Sequence, residues 1–334
     1  MTQPASMIWR VEISNFTIEP DLIGAKIPLG SHEGYRIRLE LPTDVDESLT
    51  GRGKWRPDAA VQVTGADLEG TPTVVTVRRA VVRAYFATDL DYLATLPADY
   101  SPGMQSLEEV QRIRAEATAV VDRVVGAFFD LVAVSSQMPA ITLNERPSVT
   151  LNALFVGKQR TRVRFGTAAE SINVIMGARG VGKDVLFKAG RRTAVGGEAS
   201  LAWRLYLEAH RRLFIGDDPR PALAEAYSAA EVGIKEALRR KGRGSKQVEL
   251  LARASRLKEL LTDVAEAVLG KGYAAAQKEN YDRILELVAQ RNDMVHRGTP
   301  PNREKLAEEV RAVRALLQWL DAVAGQRRGR LDET

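Results

Sequence analysis

The spacing of apolar residues changes character along this 334-residue chain. From residue 7 to about residue 90, β-branched and aromatic residues alternate with polar ones between glycine, proline and aspartate clusters, which is typical of strands. The pattern predicts strands at 8–16, 35–41, 60–63 and 74–86, and then a long amphipathic helix over 106–133 that Ser106 and Glu109 would cap. Short strands are expected within 140–176. Residues 1–198 should therefore form an α+β region, and the pattern fits a barrel, a sandwich or an open sheet equally well.

From residue 199 onward only helical periodicity remains. It predicts five helices, with apolar positions at 203–214, 223–238, 250–268, 281–288 and 306–320, and Asn302 would cap the last. Short connections between helices favour antiparallel neighbours, so residues 199–326 should form a helical bundle with a basic and polar tail at 327–334. The overall fold class is α+β, with a β-rich region followed by an all-α bundle.

Composition excludes several classes of site. The chain has no cysteine, which removes disulfides, thiolate metal sites and cysteine nucleophiles. Its three histidines, His32, His210 and His296, lie far apart in sequence, which argues against a histidine metal cage, and no cofactor is expected. Charged residues interrupt both the first 30 positions and the most apolar stretch, 120–134. We therefore expect a cytoplasmic protein without a signal peptide or a membrane span.

The net charge of +5 comes entirely from residues 201–334. Basic residues concentrate where the second predicted helix ends and a loop follows. These side chains could hold the phosphates of a nucleic acid, or they could form a solvated surface turn. The basic segment consists of Arg239, Arg240, Lys241, Arg243 and Lys246.

A glycine-rich segment at 177–184 follows the apolar run 172–176 and nearly spells a phosphate-binding loop. Such a loop needs a serine or threonine hydroxyl after its lysine to bind magnesium, but here Asp184 follows Lys183. The helical remainder of the chain also lacks the parallel strands of a nucleoside triphosphatase. The sequence favours a flexible turn, and a nucleotide hydrolase that uses Lys183 is the weaker alternative.

The fourth helix of the bundle carries an unusual polar segment. Its apolar stripe through Ile284 and Val288 continues through Arg291 and Val295, and Asn292 and His296 follow beside it. The pattern thus predicts polar residues on the buried face of the helix, where burial is unfavourable unless hydrogen bonds compensate for it. Local violations of this kind are expected where a site has been built. The alternative is a hydrogen-bonded structural network, which is how we interpret the similarly spaced Arg204 and His210.

The five-helix layout, the stretch Tyr227-Ser-Ala-Ala-Glu231 and the Arg-Asn-x-x-x-His segment at 291–296 together resemble a HEPN domain over residues 201–325. Many HEPN proteins are metal-independent endoribonucleases of toxin–antitoxin, abortive-infection and other antiviral defence systems. They act as dimers in which two such motifs meet. The resemblance implies that Arg291, Asn292 and His296 are the motif residues. It does not extend to the first 200 residues.

The residue types agree with RNA cleavage. Histidine titrates in the range needed to move a proton at a ribose or leaving oxygen, and an arginine guanidinium can bind two phosphate oxygens. We therefore expect His296 and Arg291 to be catalytic, Asn292 to orient one of the reacting groups, and Arg297 to bind a flanking phosphate. A spacing of five residues puts Arg291 and His296 about 140° apart around a regular helix, so a homodimer should complete the site.

The expected function is a dimeric endoribonuclease whose N-terminal region senses a trigger or restrains cleavage, with RNA and an antitoxin or regulatory protein as partners. The alternative is a non-catalytic HEPN module that binds a nucleotide, a nucleic acid or a protein.

Overall fold

A computed structural model of the chain describes residues 3–43, 45–46, 61–66, 72–88, 108–136, 150–156, 161–164, 180–214, 216–243 and 245–325. The chain divides into two compact units, Met1–Glu198 and Ala199–Thr334. The described part of the first unit contains a sheet and two long helices, whereas that of the second is helical. The predicted α+β class is therefore confirmed. None of the helices within the described ranges has an apolar stretch long enough to cross a membrane.

The first unit is built on one eight-stranded sheet. The main order of strands is β2-β3-β6-β1-β7-β8, with β5 also paired to β6 and β4 paired to β5; only the β4–β5 pair is parallel. The predicted strands are present. The two-residue β4 and the longer β2 were not expected, and in β2 Pro28 and Gly30 interrupt the alternation. The strands are β1 (Gln3–Ile18), β2 (Lys26–His32), β3 (Tyr35–Glu40), β4 (Val45–Asp46), β5 (Val61–Ala66), β6 (Pro72–Thr88), β7 (Thr150–Val156) and β8 (Thr161–Arg164).

Helix α1 (Glu108–Ser136) covers one face of this sheet. The indole nitrogen of Trp9 donates to the hydroxyl of Thr118 over 3.1 Å, and the ring of Phe16 meets that of Phe129 edge to face at 5.3 Å between centroids. These contacts bury the apolar stripe of α1 against alternate residues of β1, as the sequence periodicity predicts. The predicted cap residue Ser106 lies outside the described residues.

Helix α2 (Lys183–Ala194) packs against β2 and was not predicted, because the sequence favoured a flexible turn at its start. Gly190 permits this close packing, since a Cβ at that position would lie only 2.7 Å from Cγ2 of Ile27. Before the helix, Val181 forms a parallel bridge with Ile18 at the end of β1.

The second unit contains four long helices that match the predicted ones. They are α3 (Leu201–Phe214), α4 (Pro219–Lys241), α9 (Lys278–Arg297) and α10 (Arg303–Val323). Helix α4 packs on the other three, and Leu317 of α10 reaches so close to Gly233 that a Cβ there would lie 2.5 Å from it. Asn302 caps α10 as predicted, because its side-chain oxygen accepts from the backbone N–H of Lys305 over 3.0 Å.

The third predicted helix, through 250–268, is broken in the structure. Helix α5 (Lys246–Ala254) ends at Ser255, and Glu259 then accepts a hydrogen bond from the backbone N–H of Arg256, starting a new helix. The predicted core residue Leu250 is 66% exposed. The new segment comprises α6 (Leu257–Glu259), a π-helical turn (Leu260–Val264) and α7 (Ala265–Leu269), and α8 (Tyr273–Ala276) leads into α9.

Candidate functional site

Helices α4 and α9 run side by side in opposite directions. The Arg291 guanidinium lies over the Tyr227 ring, 5.1 Å from its centroid, and Arg220 of α4 donates to the Gly298 carbonyl at the end of α9 over 3.4 Å. The end of α9 therefore lies beside the beginning of α4. The predicted motif lies beside the first three turns of α4.

Tyr227 holds Arg291 in a defined environment. A guanidinium over an aromatic ring is attracted by the ring's electrons, and Nη1 of Arg291 also makes a long 3.4 Å hydrogen bond to Oδ1 of Asn292. Burial raises the pKa of the Tyr227 hydroxyl, the carboxylate of Glu231 raises it further, and the nearby Arg291 acts in the opposite direction. The ring contact leaves the guanidinium's N–H donors able to bind an anion.

The expectation that the polar segment occupies the buried face of its helix is wrong for the single chain. Asn292, Val295 and His296 are exposed and Arg291 is half-buried. The buried residues of α9 are Tyr281, Ile284 and Leu287, which are spaced by three. Because three residues fall short of a 3.6-residue turn, this stripe winds around the helix, away from positions 292, 295 and 296.

Arg291, Asn292, Val295 and His296 thus span an arc of about 140° around α9, which we call the motif face. Arg291 and Val295 are one turn apart, as are Asn292 and His296, so the four side chains are neighbours on the helix. Val295 is 53% exposed, an apolar side chain between the arginine and the histidine. Ala224 of α4, one turn before Tyr227, is also exposed. No described residue hydrogen-bonds the His296 ring, so this surface presents arginine donors and an imidazole to whatever binds there.

A partly buried hydrogen-bond network, anchored on Glu309, fixes the helix just before the motif face. The amide nitrogen of Gln290 donates to Oε1 of Glu309 over 2.6 Å, and its oxygen accepts from the backbone N–H of Asn302 over 2.9 Å. Glu309 is fully buried, and its burial raises the pKa of the carboxyl to about 7. The sequence analysis missed this network, although a glutamate beside the apolar positions Leu306 and Val310 was a visible signal.

The basic segment does not lie at the motif face of the same chain. Arg239 is twelve residues beyond Tyr227 in α4, which corresponds to about 18 Å along the helix axis. The Arg239 guanidinium pairs with Glu249 of α5 at 2.9 Å, while Arg297 pairs with Asp293 at 3.1 Å. Arg240 and Lys241 stand in the last turn of α4, Arg243 follows it, and Lys246 begins α5.

His210 occupies a different kind of environment. Its ring lies between the tilted rings of Phe214, 4.4 Å away, and Tyr206, 6.2 Å away, and its Nδ1 is buried without a partner among the described residues. Burial lowers the pKa of His210 to about 4, and the positive charges of Arg314, Arg211 and Arg311 lower it further. The neutral ring thus contributes aromatic packing, as a structural residue does, but not the hydrogen-bonded network that the sequence predicted.

The glycine-rich segment is described only from Gly180 onward. Lys183 is the first residue of α2, and Asp184 lies in its first turn. A Cβ on Gly182 would lie 3.2 Å from a carboxylate oxygen of Glu19. A second acidic group therefore lies near the start of α2, which weighs against phosphate binding there.

Among the residues that the structure describes, no three histidine, aspartate or glutamate side chains lie close enough together to hold a metal ion. Comparisons of the chain with protein-family models, with curated proteins and with solved structures found no match.

Proposed function

We propose that the second unit is a HEPN-type, metal-independent endoribonuclease that acts as a homodimer through its motif face. The observation that carries the proposal is the position of Arg291, held by the Tyr227 ring beside the exposed Asn292 and His296. The three residue types, their spacing and their exposure suit a site that binds a phosphodiester and moves a proton.

The dimer follows from the geometry of one helix. Arg291 and His296 point about 140° apart on α9, so one copy directs them toward different parts of a substrate. A two-fold axis through the motif face would place the Arg291 of each copy near the His296 of the other. The exposed Val295 supports this arrangement, because apolar residues at the centre of an interface lose contact with water on association.

The chemistry needs two proton transfers. One His296 would accept the proton of the 2′-hydroxyl as that oxygen attacks phosphorus, and the second copy's His296 would donate a proton to the departing 5′-oxygen. The products are a 2′,3′-cyclic phosphate and a 5′-hydroxyl. The two Arg291 guanidinium groups would bind the phosphate oxygens, whose negative charge increases in the transition state, and Asn292 would orient the phosphate or a histidine.

The wider role proposed for the chain is that of a toxin or an antiphage effector in the cytoplasm. The first unit would sense a trigger or restrain the nuclease, and an antitoxin or regulatory protein would be its partner. The support for this role is the resemblance of residues 201–325 to HEPN domains. Arg297 and the basic segment are proposed to bind flanking phosphates, the latter on RNA that extends beyond the motif face.

The test is cleavage of end-labelled total RNA and tRNA by the full chain in excess chelator. Arg291→Ala and His296→Ala should each abolish cleavage, and the products should carry cyclic phosphates. Arg283→Ala is a matched control, since Arg283 pairs with Glu286 and Glu308 and lies eight residues, or about 12 Å along α9, before Arg291. Equal cleavage by all four proteins would refute the site. An inactive wild type that binds RNA as tightly as His296→Ala would support the non-catalytic module instead.

A heterodimer tests whether two copies share the site. Wild-type and His296→Ala chains carrying different tags are expressed together, and the mixed dimer is purified through both tags. Because the mechanism uses one histidine as a base and the other as an acid, the mixed dimer should have below a tenth of wild-type activity. Retention of about half the activity would show that each copy works alone.

A further inference from the structure

The sheet of the first unit has one face that the described helices do not cover. Inward-facing residues of β1 are buried beneath α1, as the Trp9–Thr118 hydrogen bond shows, and α2 packs on buried Ile27 of β2 on the same side. Alternate residues point to the opposite face, because successive side chains of a strand alternate. We call this opposite side the outer face, and its central strands are β1, β6 and β3.

The strand register sets out the outer face in three rows. Ser6, Tyr85 and Arg36 lie side by side in the first row, followed by a row with two arginines and a row with one arginine and one glutamate. All nine residues are partly or fully exposed. The second row is Ile8, Arg83 and Arg38, and the third is Arg10, Val81 and Glu40.

The charges on this face are strongly unequal. On β3 and β6, Arg36, Arg38 and Arg83 stand in these rows against one acidic residue, Glu40, which contacts both Arg38 and Arg83. The two guanidinium groups lower the pKa of the Glu40 carboxyl, outweighing the effect of burial, so the glutamate is ionised at neutral pH. The single negative charge of Glu40 balances only one of the two positive charges of Arg38 and Arg83. The face therefore keeps a positive excess and complements a polyanion.

Tyr85 arranges two of the arginines. The guanidinium carbons of Arg36 and Arg38 lie 5.2 Å and 5.6 Å from the centroid of its ring, and Arg38 also donates to the Tyr85 hydroxyl over 2.8 Å. Stacked guanidinium groups lose less side-chain freedom when they bind a phosphate, and their flat surfaces accept an unpaired base. Arg36 is the exposed member of the pair.

We propose that this outer face, centred on Arg36, Arg38 and Tyr85, binds single-stranded RNA. A polynucleotide strand offers the repeated phosphates that arginines bind and the unpaired bases that stack on guanidinium and aromatic groups. The carboxylate of Glu40 favours RNA over DNA, because it can accept a hydrogen bond from a 2′-hydroxyl. The inference is independent of the nuclease, since it concerns a surface of the first unit and requires only binding.

The experiment measures binding of a fluorescent mixed-sequence RNA of about 20 nucleotides by the full-length chain carrying His296→Ala, which allows binding to be scored without the proposed cleavage. The test variant adds Arg36→Ala and Arg38→Ala. The matched control adds Arg112→Ala and Arg123→Ala, which remove the same charge from exposed positions of α1, 58% and 55% accessible, in the same unit. Arg36→Gln serves as a milder variant at an exposed site, and thermal unfolding checks that every protein is folded.

The sheet variant should bind RNA about tenfold more weakly than the control, and the slope of log Kd against log salt should fall by about 1.4 for two lost phosphate contacts. Arg36→Gln should show part of both effects. Equal losses in the sheet variant and the control, or no loss in either, would overturn the proposal. Equal binding of DNA of the same sequence would refute the preference for RNA, and equal displacement by polyglutamate would identify an acidic protein as the occupant.

Discussion

The guanidinium carbon of Arg291 lies 5.1 Å from the centre of the Tyr227 ring, so helix α4 positions the arginine that helix α9 carries. This contact joins two segments that are 64 residues apart in sequence, and both belong to the resemblance on which the functional proposal depends. Asn292 and His296 are exposed, so the contact with the Tyr227 ring distinguishes Arg291 from its two neighbours in the motif.

Replacing Tyr227 by alanine should weaken the site without removing any motif residue. The loss of the ring removes a cation–π contact of about 0.5–2 kcal/mol and frees the Arg291 side chain, so cleavage in chelator should fall about tenfold. Tyr227→Phe keeps the ring and should retain most of the activity. The measurement is the initial rate of RNA cleavage by both variants. Equal activity of Tyr227→Ala and wild type would show that the ring does not position the arginine.

Sequence reasoning predicted elements well where periodicity is strong. The long helices α1, α3, α4, α9 and α10 follow from unbroken apolar stripes, and the strand pattern of β1 and β6 is equally clear. It failed at β2 and α2, where Pro28, Gly30 and Gly182 interrupt the pattern although tertiary contacts stabilise the element. A glycine can allow another element to pack closely against the chain, and the local sequence pattern does not show which element that is.

The candidate site was located by residue type, but its environment could not be predicted. The sequence pattern put Asn292 and His296 on a buried face because they continue the stripe of Leu285 and Val288, whereas the packed stripe turns away through Leu287. The side of a helix that its neighbours cover depends on their crossing angle, which periodicity does not contain. Tyr227 and Glu309 have their roles through contacts with another helix, which the periodicity of their own helix does not contain.

Glu309 should make stability depend on pH in the neutral range. Its folded pKa of about 7 lies above the ordinary glutamate value, so between about pH 4.5 and 7 the folded state holds a proton that the unfolded state has lost. Stability from this group is complete below that window and falls as pH rises through it, by about 2–3 kcal/mol. The surrounding charges are Arg283 and Glu286 of α9 and Lys305 of α10.

Glu309→Gln should remove that dependence, because glutamine resembles the protonated acid. The variant should be the more stable protein at pH 8 and should show a flatter profile between pH 5 and 8. Urea unfolding followed by hydrogen exchange in peptides of α10 reports the second unit separately. Parallel pH profiles for the two proteins would show that Glu309 ionises normally in the fold.

His210 should act in the opposite direction at lower pH. Its folded pKa of about 4 is below the ordinary histidine value, so between about pH 6.5 and 4 the unfolded state binds the extra proton and stability falls as pH is lowered. His210→Leu should lose this acid sensitivity of about 2–3 kcal/mol while keeping an apolar contact between Tyr206 and Phe214. Hydrogen exchange in α3 between pH 4 and 7 checks this. An acid sensitivity that survives the substitution would assign the effect to other groups.

Gly30 and Gly34 provide a matched test of packing in the first unit. Both have positive φ, +92° and +86°, so alanine at either site should cost about 1–2 kcal/mol from backbone strain alone. A Cβ at Gly30 would also lie 2.5 Å from the Cα of Ala194 at the end of α2, whereas nothing stands within 4 Å of a Cβ at Gly34. Gly30→Ala should therefore separate α2 from β2 and destabilise the unit by about 1–3 kcal/mol more than Gly34→Ala does. Chemical unfolding of both variants, with hydrogen exchange in α2, measures the difference. Equal destabilisation by the two alanines would mean that α2 does not pack on β2 as closely as this contact requires.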